Sequence, residues 1–406
     1  MNETIVITGM GCISAAGKNL AEFEHNIFSS QLVDSIKPVS LFKVNKQENY
    51  IAAEVKKYNC EDHFSKTEIK LLDRYAQFAL ISAQEAVNNA AIDFSLMNPT
   101  RISVVHGSSI GGQETIENSY FQLFEHQKTR AHPFTVPKLL PSAAASQISM
   151  KYGIKGPTFS TSSACSSSGH AIAMAALMLR SNLIDIAIVG GAEACITKGN
   201  FMAWEGLRVL SADTCRPFSL DRSGLVIGEG AGTLILERES HARARDAKVY
   251  AKLSGIGMSS DAHNAVQPLS EGAEQAMKAA IDDANLKSSD IDYINAHGSG
   301  TKQNDKTESH AINSVFQTSP FVSSTKSIHG HVLGAGAAIE AIASVLAIQK
   351  QKIPPTTHYN QVDPECAVNL VTNQPVKAEI SCVLSNSFAF GGLNVSLLFE
   401  SVEKPE

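Results

Sequence analysis

Short β-branched runs that end in glycine alternate with alanine-rich stretches along the whole chain, and this alternation limits the possible fold more than any other feature. The runs lie at 4–8, 102–106, 185–190, 232–236, 292–296, 381–384 and 394–399, with helices expected over 66–88, 143–152, 165–180, 274–284, 305–316 and 333–349. Strands interleaved with helices predict α/β layering. A second regularity lies on the first: IVITGMGCIS near the start is echoed by AKLSGIGMSS at 251, and VVHGSSIGG by INAHGSGT. We read a duplicated α/β unit with halves 1–250 and 251–406. No Pro/Ser linker separates them, so they are expected to pack as one body. The loop 351–359 and the polar stretch 114–137 are expected to be surface excursions.

Composition enters as exclusion. With 406 residues, 43% hydrophobic and 18% charged, the chain can build a large core and is not disordered. A net charge of -6 leaves no overall electrostatic footprint for nucleic acid or anionic lipid, so an acidic partner needs a local basic patch. The seven cysteines lack CxxC spacing and MNETIVITGMG has neither a basic nor an apolar leader, which predicts a cytoplasmic protein with reduced thiols. No stretch reaches about 18 uninterrupted apolar residues, so a membrane span is not expected.

Chemistry concentrates in three segments. GPTFSTSSACSSSGHAIAMAALMLR places Cys165 where a Ser-rich run becomes an apolar helix. Unpaired N–H groups and the helix dipole there are expected to lower its pKa and make a nucleophile, although a small buried hydrophobe is the other reading of a free cysteine. DYINAHGSGTKQNDKTE puts His297 at a strand end before a tight turn, and SSTKSIHGHVLGAGAAIEA puts Lys326, His329 and His331 before a helix. His329 and His331 have no third ligand at zinc spacing, so a metal pair is disfavoured.

In combination these segments resemble the β-ketoacyl-acyl-carrier-protein synthases, the elongating condensing enzymes of type II fatty acid and polyketide synthesis. The matching motifs are SSACSSSGH, NAHGSGTKQNDKTE, KSIHGH and NSFAFGGLN, with GSSIGG, YGIKGP, VGGAEA, RPFSLDRSG and GEGAG between them, so the likeness spans essentially the entire chain. It implies a thiolase-like fold, duplicated in five layers α-β-α-β-α. It further implies an acyl thioester on Cys165, condensed with malonyl-carrier protein with loss of carbon dioxide.

The resemblance assigns the oxyanion donors to the backbone N–H groups of Cys165 and Phe390, and the enolate donors to His297 and His331. Lys326 would hold the electrostatics of this network, with Glu308 bonding near it. Ser299 and Thr301 would contact a 4'-phosphopantetheine arm supplied by the carrier, no cofactor being bound by the chain itself. Ile110 and Trp204 would line the acyl tunnel, Lys66, Lys70, Arg74, Lys128 and Arg130 would dock an acidic acyl carrier protein, and Asn295, Glu340, Ser385 and Asn386 match a buried monovalent cation site. A homodimer is expected, with a heterodimer beside a cysteine-less, chain-length-factor-like homologue as the rival. A Cys-dependent thioester hydrolase is the other alternative, but it has no use for the second histidine and the lysine.

The departures from the housekeeping pattern are His329 for Thr, Gly300 for Ser, Ala389 for Gly in the gating loop and Leu393 for Thr, with Val266 and Gln267 where a Thr-Ser pair usually contacts the arm. They point toward a specialised branch, of the aryl polyene or nodulation type.

Overall fold

The computed structural model describes residues 3–44 and 49–402. Ten strands form one sheet: β1 (Ile5–Ser14), β2 (Ile102–Gly107), β3 (Thr158–Phe159), β4 (Ile186–Glu193), β5 (Gly230–Arg238), β6 (Ala251–Ser260), β7 (Tyr293–Asn295), β8 (Phe321–Ser323), β9 (Cys382–Ala389) and β10 (Leu393–Glu400). Their spatial order is β8-β7-β9-β10-β6-β1-β5-β4-β2-β3. Read outward from the centre, each half therefore repeats one topology, first strand innermost and third strand outermost. Within the sheet the halves meet where Ile5–Ile7 of β1 pair with Ala251–Leu253 of β6.

Helices complete five layers. Ser167–Arg180 and Gly336–Lys350 lie between the two halves of the sheet and touch both. Arg74–Asn89 and Ala143–Tyr152 cover the outer face of the first half, and Ser270–Asp283 and Lys302–Val315 that of the second. Residues 336–348 are all buried, as an apolar sequence around the whole helix circumference requires. The stretch Leu333–Lys350 is long and apolar enough to cross a membrane, yet 89% of it is buried inside the protein.

The echoed glycines have a steric reason. A Cβ on Gly11 would lie 2.1 Å from the Ser82 carbonyl oxygen, and one on Gly257 would lie 1.9 Å from that of Ala276. In each half the opening strand is pressed against the backbone of its Ala-rich outer helix, so only glycine fits.

Two expectations change. The helix expected over 66–88 is two, Lys66–Ile69 and Arg74–Asn89, because the Asp73 carboxylate accepts the Tyr75 N–H and caps a new start. The helix expected from 165 begins at Ser167. The stretch 114–137 lies almost entirely at the surface, as expected, and contains most of the helix Gln113–Phe124 and the start of Thr135–Leu139.

His106 on β2 supplies a pH-dependent prediction. It is fully buried, neither ring nitrogen has a hydrogen-bond partner among the described residues, and burial pushes its pKa down to about 3. A depressed folded pKa means that the unfolded chain takes up the proton first, so stability is lost as pH falls from about 6.5 toward 3. His106→Leu removes this linkage. Its unfolding free energy, measured by urea titration, should gain on wild type by about 1.4 kcal/mol for each pH unit below 6.5, about 2 kcal/mol at pH 5.

Candidate active site

The Ser-rich run before Cys165 builds its turn. Ala164 adopts the left-handed conformation with φ +50°, which a non-glycine residue holds only when its surroundings force it. The force comes from hydroxyls. Ser167 Oγ accepts the Ser163 N–H at 2.9 Å and donates to the Ala164 carbonyl at 2.6 Å, and Ser109 Oγ donates to the same carbonyl at 2.8 Å. The turn lifts Cys165 onto the start of the helix Ser167–Arg180.

His297 follows the end of β7, and the helix Lys302–Val315 holds it there. Glu308 Oε1 and Oε2 accept the backbone N–H groups of His297 and Gly298 at 2.8 and 2.7 Å. Lys326 is entirely buried, and its ammonium spends its three protons on three acceptors: Glu340 Oε1, the His297 carbonyl at 2.6 Å and His297 Nδ1 at 3.4 Å. An ammonium only donates, so Nδ1 of His297 accepts and the ring proton resides on Nε2.

His331 comes from the turn after the helix Lys326–His329, and its Nε2 lies 3.1 Å from Cys165 Sγ. Its ring meets that of His297 edge to face, with centroids 5.4 Å apart. Its Nδ1 is buried without a partner among the described residues, so the contact of Nε2 with Cys165 Sγ is what bears on its tautomer there. Burial first, then the Lys326 charge, holds both histidines well below their ordinary pKa, hence neutral at pH 7.

The Cys165 thiol departs from expectation. Burial pushes it up to about 12, the reverse of the lowering expected from its helix terminus. Lys326 and the backbone N–H groups of Phe390 and Cys165 pull the other way, but desolvation at this depth exceeds them. Those same two N–H groups face the sulfur. Burial likewise raises Glu308 and Glu340 to about 7, against the N–H donors on the first and Lys326 on the second.

Cys165, His297 and His331 open on one cavity of about 110 Å³, shared with Ser299, Thr301, Val266, Gln267, Ala389 and Phe390. Trp204 also lines it and stacks on Phe390, with centroids 5.7 Å apart and planes 24° apart. Ile110, Leu333, Ala389 and Leu393 close an apolar patch around Cys165. Asn295 and Ser385 are register partners on β7 and β9, Asn386 Nδ2 reaches Glu308 at 3.4 Å, and Glu340 pairs with Lys326.

Lys66, Lys70, Lys128 and Arg130 are exposed. Arg74 does not join them, a correction to the expected basic face. Its guanidinium makes a double contact with buried Glu229, at 2.7 and 2.6 Å, and lies over the rings of Tyr58 and Phe78. The helix break at Asp73 turns it inward.

Sequence reasoning missed Glu193. This fully buried carboxylate ends β4 and accepts from the N–H groups of Ser109 at 2.7 Å and Gly334 at 3.0 Å and from Ser108 Oγ at 3.0 Å, joining the segment after β2 to the chain after His331. The available signal was a lone acid in the small-residue run VGGAEA.

The family description "Beta-ketoacyl synthase, N-terminal domain" matches residues 2–242, and "Beta-ketoacyl synthase, C-terminal domain" matches 250–360. The chain is 41% identical to Nodulation protein E of Rhizobium sp. (strain N33), over 99% of this chain and 100% of that protein. It is 39% identical to 3-oxoacyl-[acyl-carrier-protein] synthase 2 of Staphylococcus aureus (strain COL), over 99% of each. Among solved structures, the ishigamide ketosynthase/chain length factor superposes with a TM-score of 0.95 at 30% identity, covering 99% of this chain and 100% of that one. Two family domains that together span residues 2–360, carried on a duplicated thiolase-like fold, make this chain a member of the β-ketoacyl synthase family and a condensing acyltransferase.

Proposed function

We propose that Cys165 carries the growing acyl chain and that His297 and His331 generate the carbon nucleophile that extends it. The observation that supports this division is the convergence of Cys165 Sγ, both imidazoles and the N–H groups of Cys165 and Phe390 on one small cavity. In the first half-reaction the thiol proton has an acceptor in His331 Nε2, the sulfur attacks the carrier-bound thioester, and the proton departs on the carrier thiol. The oxyanion forms between the two backbone N–H groups. In the second, malonyl-carrier loses carbon dioxide and its electron pair becomes an enolate, held by the Nε2 protons of both histidines. The enolate attacks the acyl thioester on Cys165, and the thiolate leaves.

The two histidines suit these steps differently. The tautomer of His297 is set by Lys326, whereas His331, with its free Nδ1, can accept in the first half-reaction and donate in the second. Glu308 is a positioning residue for the His297 backbone. Asn295, Glu340, Ser385 and Asn386 fit a monovalent cation, since Glu340 Oε2 is buried without a hydrogen-bond partner among the described residues. When bound, such an ion supplies charge that keeps Glu340 ionised.

The pantetheine arm is supplied by an acyl carrier protein, and Ser299 and Thr301 meet its amides. Lys66, Lys70, Lys128 and Arg130 form the basic docking surface, without Arg74. A second copy of this chain, or a homologous partner chain, covers the exposed Tyr120, Phe121, Phe124 and Phe134. Seven unpaired cysteines suit a cytoplasmic setting.

The substrate belongs to a specialised, conjugated class, an assignment supported by the Trp204 and Phe390 stack at the cavity and by the four departures from the housekeeping pattern. A flat polyenoyl chain keeps aromatic contact where a saturated chain loses it, a difference of about 0.5–1.5 kcal/mol. Wild type should therefore take up polyenoyl over saturated carriers of equal length by about 2- to 13-fold. Trp204→Leu should erase the preference. Intact-protein mass spectrometry under competition measures it, and a clear win for saturated chains in wild type rejects the conjugated assignment.

A further inference from the structure

The helix Lys326–His329 is a single turn, and the two groups that organise the cavity sit at its ends. Lys326 opens it and sets the His297 tautomer. Gly330 closes it and hands the chain to His331, which faces Cys165. One turn has too few internal hydrogen bonds to hold its own shape. Gly330, at φ +70° and ψ -177°, donates its N–H to the Lys326 carbonyl at 2.9 Å but brings no side chain to brace the turn.

The side chain of His329 spans this weak point. It is fully buried, with Nδ1 2.8 Å from the Gly330 carbonyl and Nε2 3.0 Å from the Thr325 hydroxyl. A carbonyl only accepts, so Nδ1 carries the proton and Nε2 accepts from Thr325. The ring thus ties the residue before Lys326 to the residue before His331. Burial lowers its pKa to about 3, so it stays neutral and both bonds persist at working pH.

We propose that His329 is a positioning residue whose imidazole staples Thr325 to Gly330 and so sets the separation between Lys326 and His331. The inference rests on the condensing role given above to His331. It assigns a purpose to one of the residues by which this chain departs from the housekeeping pattern.

The test compares His329→Ala, His329→Asn and His329→Gln in the full-length enzyme. Asn places an N–H near the position of Nδ1, and Gln places its amide near Nε2. Three quantities are read: kcat and KM for malonyl-carrier decarboxylation per titratable Cys165, the rate of Cys165 alkylation by iodoacetamide, and the melting temperature. Displacement of a reacting group by about 1 Å costs about 100-fold. We therefore expect His329→Ala to lower kcat by about 10- to 100-fold with KM within about twofold. His329→Asn should recover most of the loss, and alkylation should slow in Ala and recover in Asn.

A merely structural histidine would lower the melting temperature while leaving kcat per thiol at the wild-type value, and that result overturns the proposal. Asn no better than Ala also overturns it. If the Ala variant does not fold, Asn should exceed Gln in kcat, and equal values reject the staple. Wild type that fails to decarboxylate malonyl-carrier would instead overturn the role given to His331. The alkylation series, which needs no carrier, would still decide whether His329 holds His331 against Cys165.

Discussion

Cys165→Ala is expected to abolish acyl transfer, by about 10⁴-fold or more, while malonyl-carrier decarboxylation continues. The division follows from the geometry. Alanine removes the sulfur but keeps the backbone N–H at 165, and it leaves the His297 and His331 donors in place. No second thiol substitutes: Cys195 shares the apolar patch but is fully buried, and Cys215 is buried against the Ser299 carbonyl. Intact-protein mass spectrometry after incubation with acyl-carrier protein should show the acyl mass on wild type alone, and carbon dioxide release from malonyl-carrier should persist in the variant. Equal loss of both half-reactions would show that the thiolate takes part in decarboxylation and would sink the division of labour.

The second large effect lies at Lys326. Removing one member of a buried ion pair leaves the other uncompensated, at a cost of about 3–5 kcal/mol. Lys326→Met strands the Glu340 carboxylate and frees the His297 tautomer, so stability and decarboxylation should fall together. The pH dependence has a definite sign. Burial already raises Glu340 to about 7, and loss of the ammonium raises it further. A carboxyl whose folded pKa is raised loses stability as pH rises through it, so the deficit should be larger at pH 8 than at pH 5. Pairing Lys326→Met with Glu340→Leu removes the stranded charge. That double variant should recover most of the melting temperature and none of the activity, since no donor then faces His297 Nδ1. Recovery of activity would show that the lysine serves the fold alone.

Much of this architecture is legible because it is written in local chemistry. Gly9 and Gly11, echoed by Gly255 and Gly257, mark the two strands that press against helix backbones, and the apolar run 336–348 marks a helix with no solvent face. Cys165, His297, Lys326 and His331 sit at strand-to-helix junctions that glycine and serine signal in advance. The misreadings share a cause. Lys66, Lys70 and Arg74 have helical spacing, but spacing carries no information about a cap, and Asp73 divides the helix and turns Arg74 inward against buried Glu229. Glu193 escaped notice because its partners Ser109 and Gly334 lie far from it in the chain.

The strand-helix alternation and the identity of the chemical groups follow from residue order alone, since each depends on neighbours within a few positions, and the duplication follows from comparing one half of that order with the other. The protonation states do not. Whether Cys165 rests as thiol or thiolate, which nitrogen of His297 holds its proton and whether His331 is free to change tautomer depend on burial and on partners more than a hundred residues away, or on Lys326 approaching from another segment. Desolvation and hydrogen bonding act through space, and only the packed layers determine them.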